Sequence, residues 1–134
     1  ATQGVEVEFA GTFNRLSVNT NITYTNAENR FSARIPEIKA NATLGYNISG
    51  KTFTSLSYQY NDEREDNFFN PDTFASEAVT LESYGLLDFY VSHQALKNLK
   101  IFAGMNNILN ETYFEIYRFQ TRGRNARVGV SLQF

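Results

Sequence analysis

Polar and apolar side chains alternate along most of the chain, and the alternation falls into seven segments. In the second segment, Leu16, Val18 and Thr20 occupy every other position, and polar residues separate them. Successive side chains of an extended strand point to opposite faces, so this period of two predicts strands with one apolar and one polar face. The predicted strands are residues 3–11, 14–25, 37–49, 52–63, 83–95, 98–108 and 124–134.

The connections between the predicted strands alternate in length. The short turns are 11–14, 49–51 and 96–97, and the long loops are 26–36, 64–82 and 109–123. Short turns on one side and long loops on the other are typical of outer-membrane barrels. Strands of about 9–11 residues are also long enough to cross a bilayer when they are tilted. The pattern therefore favours an all-β, antiparallel, membrane-spanning sheet.

The two faces of the predicted strands differ in chemistry. The polar face carries mainly small uncharged side chains, which suit a hydrated barrel interior, while an apolar face would then meet lipid. Four tyrosines lie near strand ends on the apolar face, where an aromatic girdle sits, namely Tyr24, Tyr46, Tyr58 and Tyr60. The membrane interpretation is favoured. A soluble lipid-binding barrel, with its apolar face turned inward, remains an alternative.

Composition excludes several other classes of protein. The 134 residues include no Cys and one His, which removes thiolate metal sites, Cys nucleophiles and almost any His-based catalytic site. The net charge of −2 argues against a nucleic-acid partner, which would require a basic face. No apolar run approaches the roughly 18 residues of a membrane helix. We therefore expect no enzyme activity, no metal and no cofactor.

A series of short motifs along the chain resembles one family. In the last fifty residues the motifs are 98–104, 106–110, 113–115, Gly123-Arg124 and the terminal Phe134. Upstream they are Gly4-Val5-Glu6, residues 21–25 and Arg34-Ile35-Pro36. Together they resemble the TonB-dependent outer-membrane receptors, and Asn107, Asn110, Gly123 and Arg124 match the family's loop motif. Within that family, Tyr58-Gln59-Tyr60 followed by Arg64, and residues 113–117 with 119–121, resemble the cobalamin receptors.

The resemblance implies a fold and a function. It implies that residues 1–134 are the C-terminal, roughly seven-stranded part of a 22-stranded barrel in the bacterial outer membrane. The other strands and the plug domain would come from another chain or a missing segment. Further expected partners are the TonB complex (through the plug), outer-membrane lipid and the barrel-insertion machinery. The implied function is energised uptake of a scarce large ligand, with cobalamin first and ferric siderophore or haem second.

Two sets of residues are candidates for binding. The candidate ligand-binding residues in the long loops are Phe68, Phe69, Tyr113, Phe114, Tyr117, Arg118 and Phe119. Exposed aromatic rings can stack on a planar ligand, but for the residues of 109–123 packing on neighbouring loops or a place at the headgroup level is slightly favoured. For Phe68 and Phe69 the alternative is contact with lipid. The candidate signal for the insertion machinery is the alternate set Val128, Val130, Leu132 and Phe134. Its alternative is an ordinary final strand.

Two further questions stay open at this stage. The acidic run 62–66, with Asp72, offers carboxylates for Ca²⁺ but lacks the regular spacing of a calcium loop, so a solvated loop is favoured. The second function hypothesis is a small outer-membrane barrel of eight strands with a structural or adhesive role. That hypothesis needs an eighth strand, for which residues 112–119 are the candidate.

Overall fold

The computed structural model describes residues 1–27 and 33–134, so the middle of the predicted loop 26–36 lies outside the described residues. The described residues form the strands β1 (Thr2–Phe13), β2 (Leu16–Ala27), β3 (Ile38–Ser49), β4 (Thr52–Asn61), β5 (Arg64–Asn70), β6 (Ala75–Leu81), β7 (Tyr84–Leu96), β8 (Leu99–Asn106), β9 (Phe114–Ile116), β10 (Phe119–Gln120) and β11 (Asn125–Leu132). Among these residues there is no helix long and apolar enough to cross a membrane.

Seven strands form one antiparallel sheet in the order β1-β2-β3-β4-β7-β8-β11. They are the seven predicted strands, and each observed boundary lies within two residues of the predicted one. The register places apolar residues opposite apolar residues, as in the pairs Val7 with Ile22 and Leu44 with Leu56. A slip of one residue would turn every side chain of a strand to the opposite face, so the alternation also fixes the register.

The apolar face of this sheet is not covered by a second layer. Val5 and Val7 are 65% exposed and Val128 is 78% exposed. In the part of the chain that the structure describes, Leu81 and Tyr84 are the only buried hydrophobic residues. A continuous exposed apolar surface of this kind is typical of a face that meets lipid, and not of a soluble sandwich.

The polar face carries hydrogen bonds that run across the strands. Asn41 Nδ2 donates to Asn21 Oδ1 at 3.0 Å, and Asn21 Nδ2 donates to Glu6 Oε1 at 3.2 Å. Thr43 and Ser57 share a further hydroxyl hydrogen bond of 3.0 Å. Such rows of small polar groups need water or a polar partner on their open side.

The two outer strands of the sheet, β1 and β11, are not paired with each other. In lipid, an unpaired strand edge leaves backbone groups unsatisfied at a cost of several kcal/mol each, so this sheet requires further strands. The candidate eighth strand at 112–119 does not extend the sheet, because β9 and β10 pair only with each other among the described strands. This arrangement contradicts the closed eight-stranded barrel.

The predicted loop 64–82 is a hairpin, which corrects the expectation of a loop. Strands β5 and β6 pair from Arg64 opposite Leu81 to Asn70 opposite Ala75. The hypothesis of a solvated acidic run is also wrong for two of its residues, because Asp66 is only 2% exposed and Arg64 only 7%. Both charged groups turn inward because they find polar partners in other loops.

Candidate ligand-binding site in the long loops

Three segments meet at the loop end of the sheet, and together we call them the loop cluster: residues 33–37, the hairpin β5–β6 and residues 109–123. The backbone N–H of Arg34 donates to the carbonyl of Glu65 at 2.7 Å. Arg64 Nη2 donates to the carbonyl of Phe114 at 2.6 Å. These two bonds connect the hairpin to both of the other segments.

Asp66 connects all three segments through one carboxylate. Its Oδ1 accepts hydrogen bonds from Arg34 Nε at 2.7 Å and from the N–H of Asn67 at 2.8 Å. Its Oδ2 accepts a hydrogen bond from the N–H of Tyr117 at 2.9 Å. Hydrogen bonds to an ionised group are stronger than neutral ones, so this carboxylate is the strongest single connection in the loop cluster.

The surroundings of Asp66 favour its charged form. Burial on its own acts to raise the pKa of this carboxyl, because a buried charge loses its water. The hydrogen bond from the Tyr117 N–H, the contact with Arg34 and the Asn67 N–H together outweigh burial, and the pKa lies below its ordinary value. The carboxylate therefore stays ionised at neutral pH.

Arg64 stabilises the 109–123 segment through two stacked tyrosine rings, in addition to its hydrogen bond to Phe114. Its guanidinium lies over the ring of Tyr84, 5.2 Å from the centroid, and the Tyr84 ring packs on Tyr113 at a centroid distance of 4.3 Å. Tyr113 is further held by its carbonyl, which accepts a hydrogen bond from Thr121 Oγ1 at 2.6 Å. A cation over an aromatic face is attracted by the ring quadrupole, which adds to the backbone hydrogen bond.

Five of the seven predicted ligand-binding residues fall into two groups, and the other two, Tyr113 and Phe114, contact Tyr84 and Arg64 as described above. Phe68 and Tyr117 pack edge to face at 5.2 Å, and the guanidinium of Arg118 lies 4.3 Å from the Phe68 centroid. This packing between loops agrees with the favoured alternative for these side chains. Phe69 and Phe119 instead remain 56% and 70% exposed. Whether any of the seven binds a ligand stays a prediction.

A cleft of about 380 Å³ opens between the base of the hairpin and the 109–123 segment. Four of the predicted residues line it, Tyr113, Phe114, Tyr117 and Arg118. Residues 80–83 and 111–112 form the remainder of the wall. A concave site with aromatic rings and a few charged groups suits a ligand that has both apolar and polar parts.

Sequence reasoning missed the roles of the residues that shape this site. It used Arg34 and Arg64 only as parts of resemblance motifs, it did not single out Tyr84, and it assigned Asp66 to a solvated run. The available indication was the alternation of Arg64, Asp66 and Phe68, which places all three on one face of a strand. Because two of the three are charged, the alternation does not stand out as an apolar pattern.

The motif residues Asn107 and Asn110 determine how the 109–123 segment leaves the sheet. Both have positive φ angles, 51° and 57°, a conformation that asparagine tolerates better than most residues. Asn107 is buried, and its side-chain amide exchanges two hydrogen bonds of 2.8 Å with the backbone of Glu111. Asn110 Oδ1 accepts a hydrogen bond from the N–H of Arg124 at 3.0 Å, beside Gly123.

Replacing Asn107 with Ala is expected to destabilise the 109–123 segment by about 2–4 kcal/mol. The change removes both hydrogen bonds to Glu111 and places a less tolerant residue at a positive φ. Hydrogen exchange of the complete receptor in detergent measures the effect as faster exchange of amides in 109–123. The matched control is Asn47→Ala. Asn47 lies on the polar face of β3, and we expect its replacement to leave amide exchange in 109–123 unchanged. Unchanged exchange in Asn107→Ala itself would contradict the role of the two bonds.

The predicted insertion residues Val128, Val130 and Leu132 lie on the apolar face of β11, at the edge of the sheet. All three are exposed, as is Phe134, which follows the end of the strand. Their recognition by the insertion machinery stays a prediction. In residues 1–27 and 33–134 there is no group of three or more His, Cys, Asp or Glu side chains that could hold a metal ion.

Comparison with known proteins assigns the fold. The profile of the family "TonB dependent receptor-like, beta-barrel" matches residues 2–108. The chain belongs to this family. Its seven-stranded sheet is therefore a segment of a larger transmembrane barrel, with the exposed apolar face toward the lipid of the bacterial outer membrane. Members of the family are receptors and transporters.

Two kinds of relative give further detail. The vitamin B12 transporter BtuB of Vibrio cholerae is 29% identical over 80 residues, which cover 60% of this chain and 13% of the relative. The ferripyoverdine receptor of Pseudomonas aeruginosa, at 19% identity, superimposes with a TM-score of 0.84 over 99% of this chain and 19% of that one. The siderophore receptor PirA of Acinetobacter baumannii, at 14% identity, gives 0.82 over 99% and 22%. The chain thus spans a small part of each relative.

Proposed function

We propose that this chain is part of an outer-membrane receptor that binds a scarce large ligand at its loops and imports it with energy from TonB. The observation that carries the proposal is the cleft of about 380 Å³ in the loop cluster of a receptor-family barrel. Four candidate residues line that cleft, and the hydrogen bonds of Asp66 order the loops around it. No bond of the ligand is made or broken in this function.

Cobalamin is the first candidate ligand, and ferric siderophore or haem is the second. The sequence similarity to a vitamin B12 transporter supports the first. The second is supported by the siderophore receptors among the structural neighbours, although their low identity speaks for the fold alone. Each of these ligands combines a large apolar or planar surface with polar groups, which is the combination that the cleft offers.

The polar face of the sheet would contact the plug domain inside the complete barrel. Its rows of Asn, Ser and Thr, such as Asn41 with Asn21, offer donors and acceptors on their open side. We propose that residues 1–134 are the C-terminal part of the receptor, that the plug lies in a segment outside them, and that TonB acts through the plug. Recognition of Val128, Val130, Leu132 and Phe134 by the insertion machinery belongs to the same proposal.

The test is ligand binding to the complete receptor with Tyr117 replaced by Ala. Cyanocobalamin, haemin and ferric pyoverdine serve as probes, and equilibrium binding in detergent gives the Kd for each. Loss of a ring that lines the cleft is expected to weaken the probe that binds by about tenfold or more. The matched control is Tyr46→Ala, on the apolar face, which should leave the Kd unchanged. Equal affinity of Tyr117→Ala and the unaltered receptor would contradict the proposal.

A further inference from the structure

A second cavity lies on the polar side of the sheet, below the loop cluster. Its volume is about 230 Å³. It is lined by the strand residues Lys39, Gln59, Asn61 and Tyr84 and by the loop residues Arg34, Pro36, Arg64 and Glu115. Gln59 and Asn61 belong to the polar face. One side of this cavity is therefore formed by the strands of the sheet, and the other side by the loop cluster. We call it the cationic cavity.

Two buried donors beside the cationic cavity have no acceptor. Asn61 Nδ2 and Arg64 Nη1 are both inaccessible to solvent and make no hydrogen bond. The two residues are 6% and 7% exposed. A buried donor without a partner costs about 1–3 kcal/mol, and more when it is charged. Such groups are rare in folded proteins, and two residues that line one cavity carry them here. An acceptor that enters the cavity and displaces the side chains around these donors would remove their unfavourable free energy.

The charges around the cationic cavity define what that acceptor is. Three cations line it, Arg34, Lys39 and Arg64, against the single carboxylate of Glu115. Arg34 is neutralised by Asp66, whereas Arg64 makes its hydrogen bond to a neutral carbonyl. No ion pair to Lys39 or Arg64 is found in the described part of the chain. Guanidinium and ammonium groups with free donors select anionic oxygen atoms, as in carboxylates and phosphates.

We propose that the cationic cavity is an anion subsite of the receptor, which binds a carboxylate or phosphate group of the imported ligand. This inference rests on the proposed function and adds the chemical class of one ligand group. The subsite lies next to the aromatic cleft, because Tyr84 lines the cavity and packs on Tyr113, which lines the cleft. The stacked rings of Tyr84 and Tyr113 therefore separate the two sites, one ring on each side.

Two variants with opposite expected effects test the subsite. Lys39→Gln removes a cation from the cavity, and Glu115→Gln removes the opposing carboxylate. Both side chains are exposed, and neither makes a hydrogen bond to residues 1–27 or 33–134, so both variants are expected to fold. Citrate and inorganic phosphate serve as separate probes on the complete receptor in detergent, with saturation-transfer NMR as the measurement. The matched control is Lys51→Gln, in the turn between β3 and β4, at the opposite end of the sheet.

We expect at least one of the two anions to bind with an affinity that falls about tenfold in Lys39→Gln, rises in Glu115→Gln and is unchanged in Lys51→Gln. Citrate binding indicates a carboxylate ligand, and phosphate binding indicates a phosphate ligand. A purely structural disturbance would weaken binding in both cavity variants. Binding of neither anion, or equal binding in all four proteins, would overturn the subsite.

The large probes, cyanocobalamin, haemin and ferric pyoverdine, distinguish failure of the anion subsite from failure of the proposed receptor function. If a large probe binds and depends on Tyr117 while neither anion binds, the receptor function stands and the anion subsite is wrong. If an anion binds with the expected dependence on Lys39 and Glu115 while no large probe binds, the subsite stands and the ligand classes proposed for the receptor are wrong.

Discussion

Replacing Asp66 with Ala is expected to separate the three segments of the loop cluster. The change removes three hydrogen bonds to one carboxylate and leaves the N–H groups of Tyr117 and Asn67 and the guanidinium of Arg34 without that partner. Hydrogen bonds to charged groups are each worth about 1.5–3 kcal/mol, and water replaces part of that at the half-exposed Arg34. We expect local opening to become easier by about 3 kcal/mol, which hydrogen exchange measures as a roughly hundredfold loss of amide protection in β5 and β6.

The matched control for this change is Asp72→Ala, in the exposed turn of the same hairpin. Asp72 accepts no hydrogen bond from the other segments among the described contacts, so protection in β5 and β6 should stay within about twofold. A loss of protection that is equal in both variants would show that the hairpin responds to any lost charge, and that Asp66 has no special role.

The carboxylate of Asp66 makes the stability of the loop cluster dependent on pH. Because the pKa of folded Asp66 lies below its ordinary value of 3.8, its stabilising contribution is fully present above that value. The contribution is lost as the pH falls below 3.8 and through the lower pKa of the folded state. The loop cluster is therefore expected to stay closed at neutral and mildly acidic pH and to open only in strong acid, and Asp66→Ala should abolish this dependence.

Replacing Leu44 with Arg is expected to destabilise the barrel in the membrane. Leu44 is half exposed on the apolar face and lies near the middle of β3, opposite Val18 on one side and Leu56 on the other. A charged side chain on the lipid face near the bilayer midplane costs about 2–4 kcal/mol. We expect a lower free energy of unfolding for the complete receptor in lipid, and a smaller fraction of it in the outer-membrane preparation.

The control for Leu44→Arg places the same residue on the opposite face of the same strand. Asn41 is on the polar face and exposed, so Asn41→Arg is expected to change the free energy of unfolding by about 1 kcal/mol or less. If the two variants destabilise the receptor equally, the assignment of the lipid and interior faces is wrong.

The seven-stranded sheet was predictable from the sequence because a local pattern of residues determines each of its strands. An alternation with a period of two gives the strands, their faces and, through the pairing of apolar positions such as Leu44 with Leu56, their register. Each strand also pairs with the next one along the chain, apart from the connections that the hairpin and the 109–123 segment occupy. The short turns fix three hairpins, and the alternation fixes which face of each strand is apolar, so a single sequence was sufficient.

The loop cluster was not predictable in the same way, since its order depends on contacts between distant residues. The bond from Tyr117 to Asp66 joins residues 51 positions apart, and the bond from Arg64 to Phe114 joins residues 50 apart. In the sequence, a charged residue of a polar stretch is expected to be in water. Only the folded chain supplies the partners that make burial of Arg64 and Asp66 favourable. Family resemblance identified Asn107 and Asn110, but their positive φ angles were visible only in the structure.

Asp66 accepts hydrogen bonds from one backbone N–H in the 109–123 segment and from one side chain in residues 33–37. These two kinds of bond place different limits on the substitutions that the loops can tolerate during evolution. At Tyr117 the carboxylate binds a backbone N–H, which every residue except proline provides, so this hydrogen bond does not itself require a tyrosine side chain. Arg34 and Asp66 instead bind through side chains and have to change together. New ligand preferences are therefore expected to arise first by substitution at Tyr117 and at exposed positions such as Phe69 and Phe119, while the Arg34–Asp66 pair is retained.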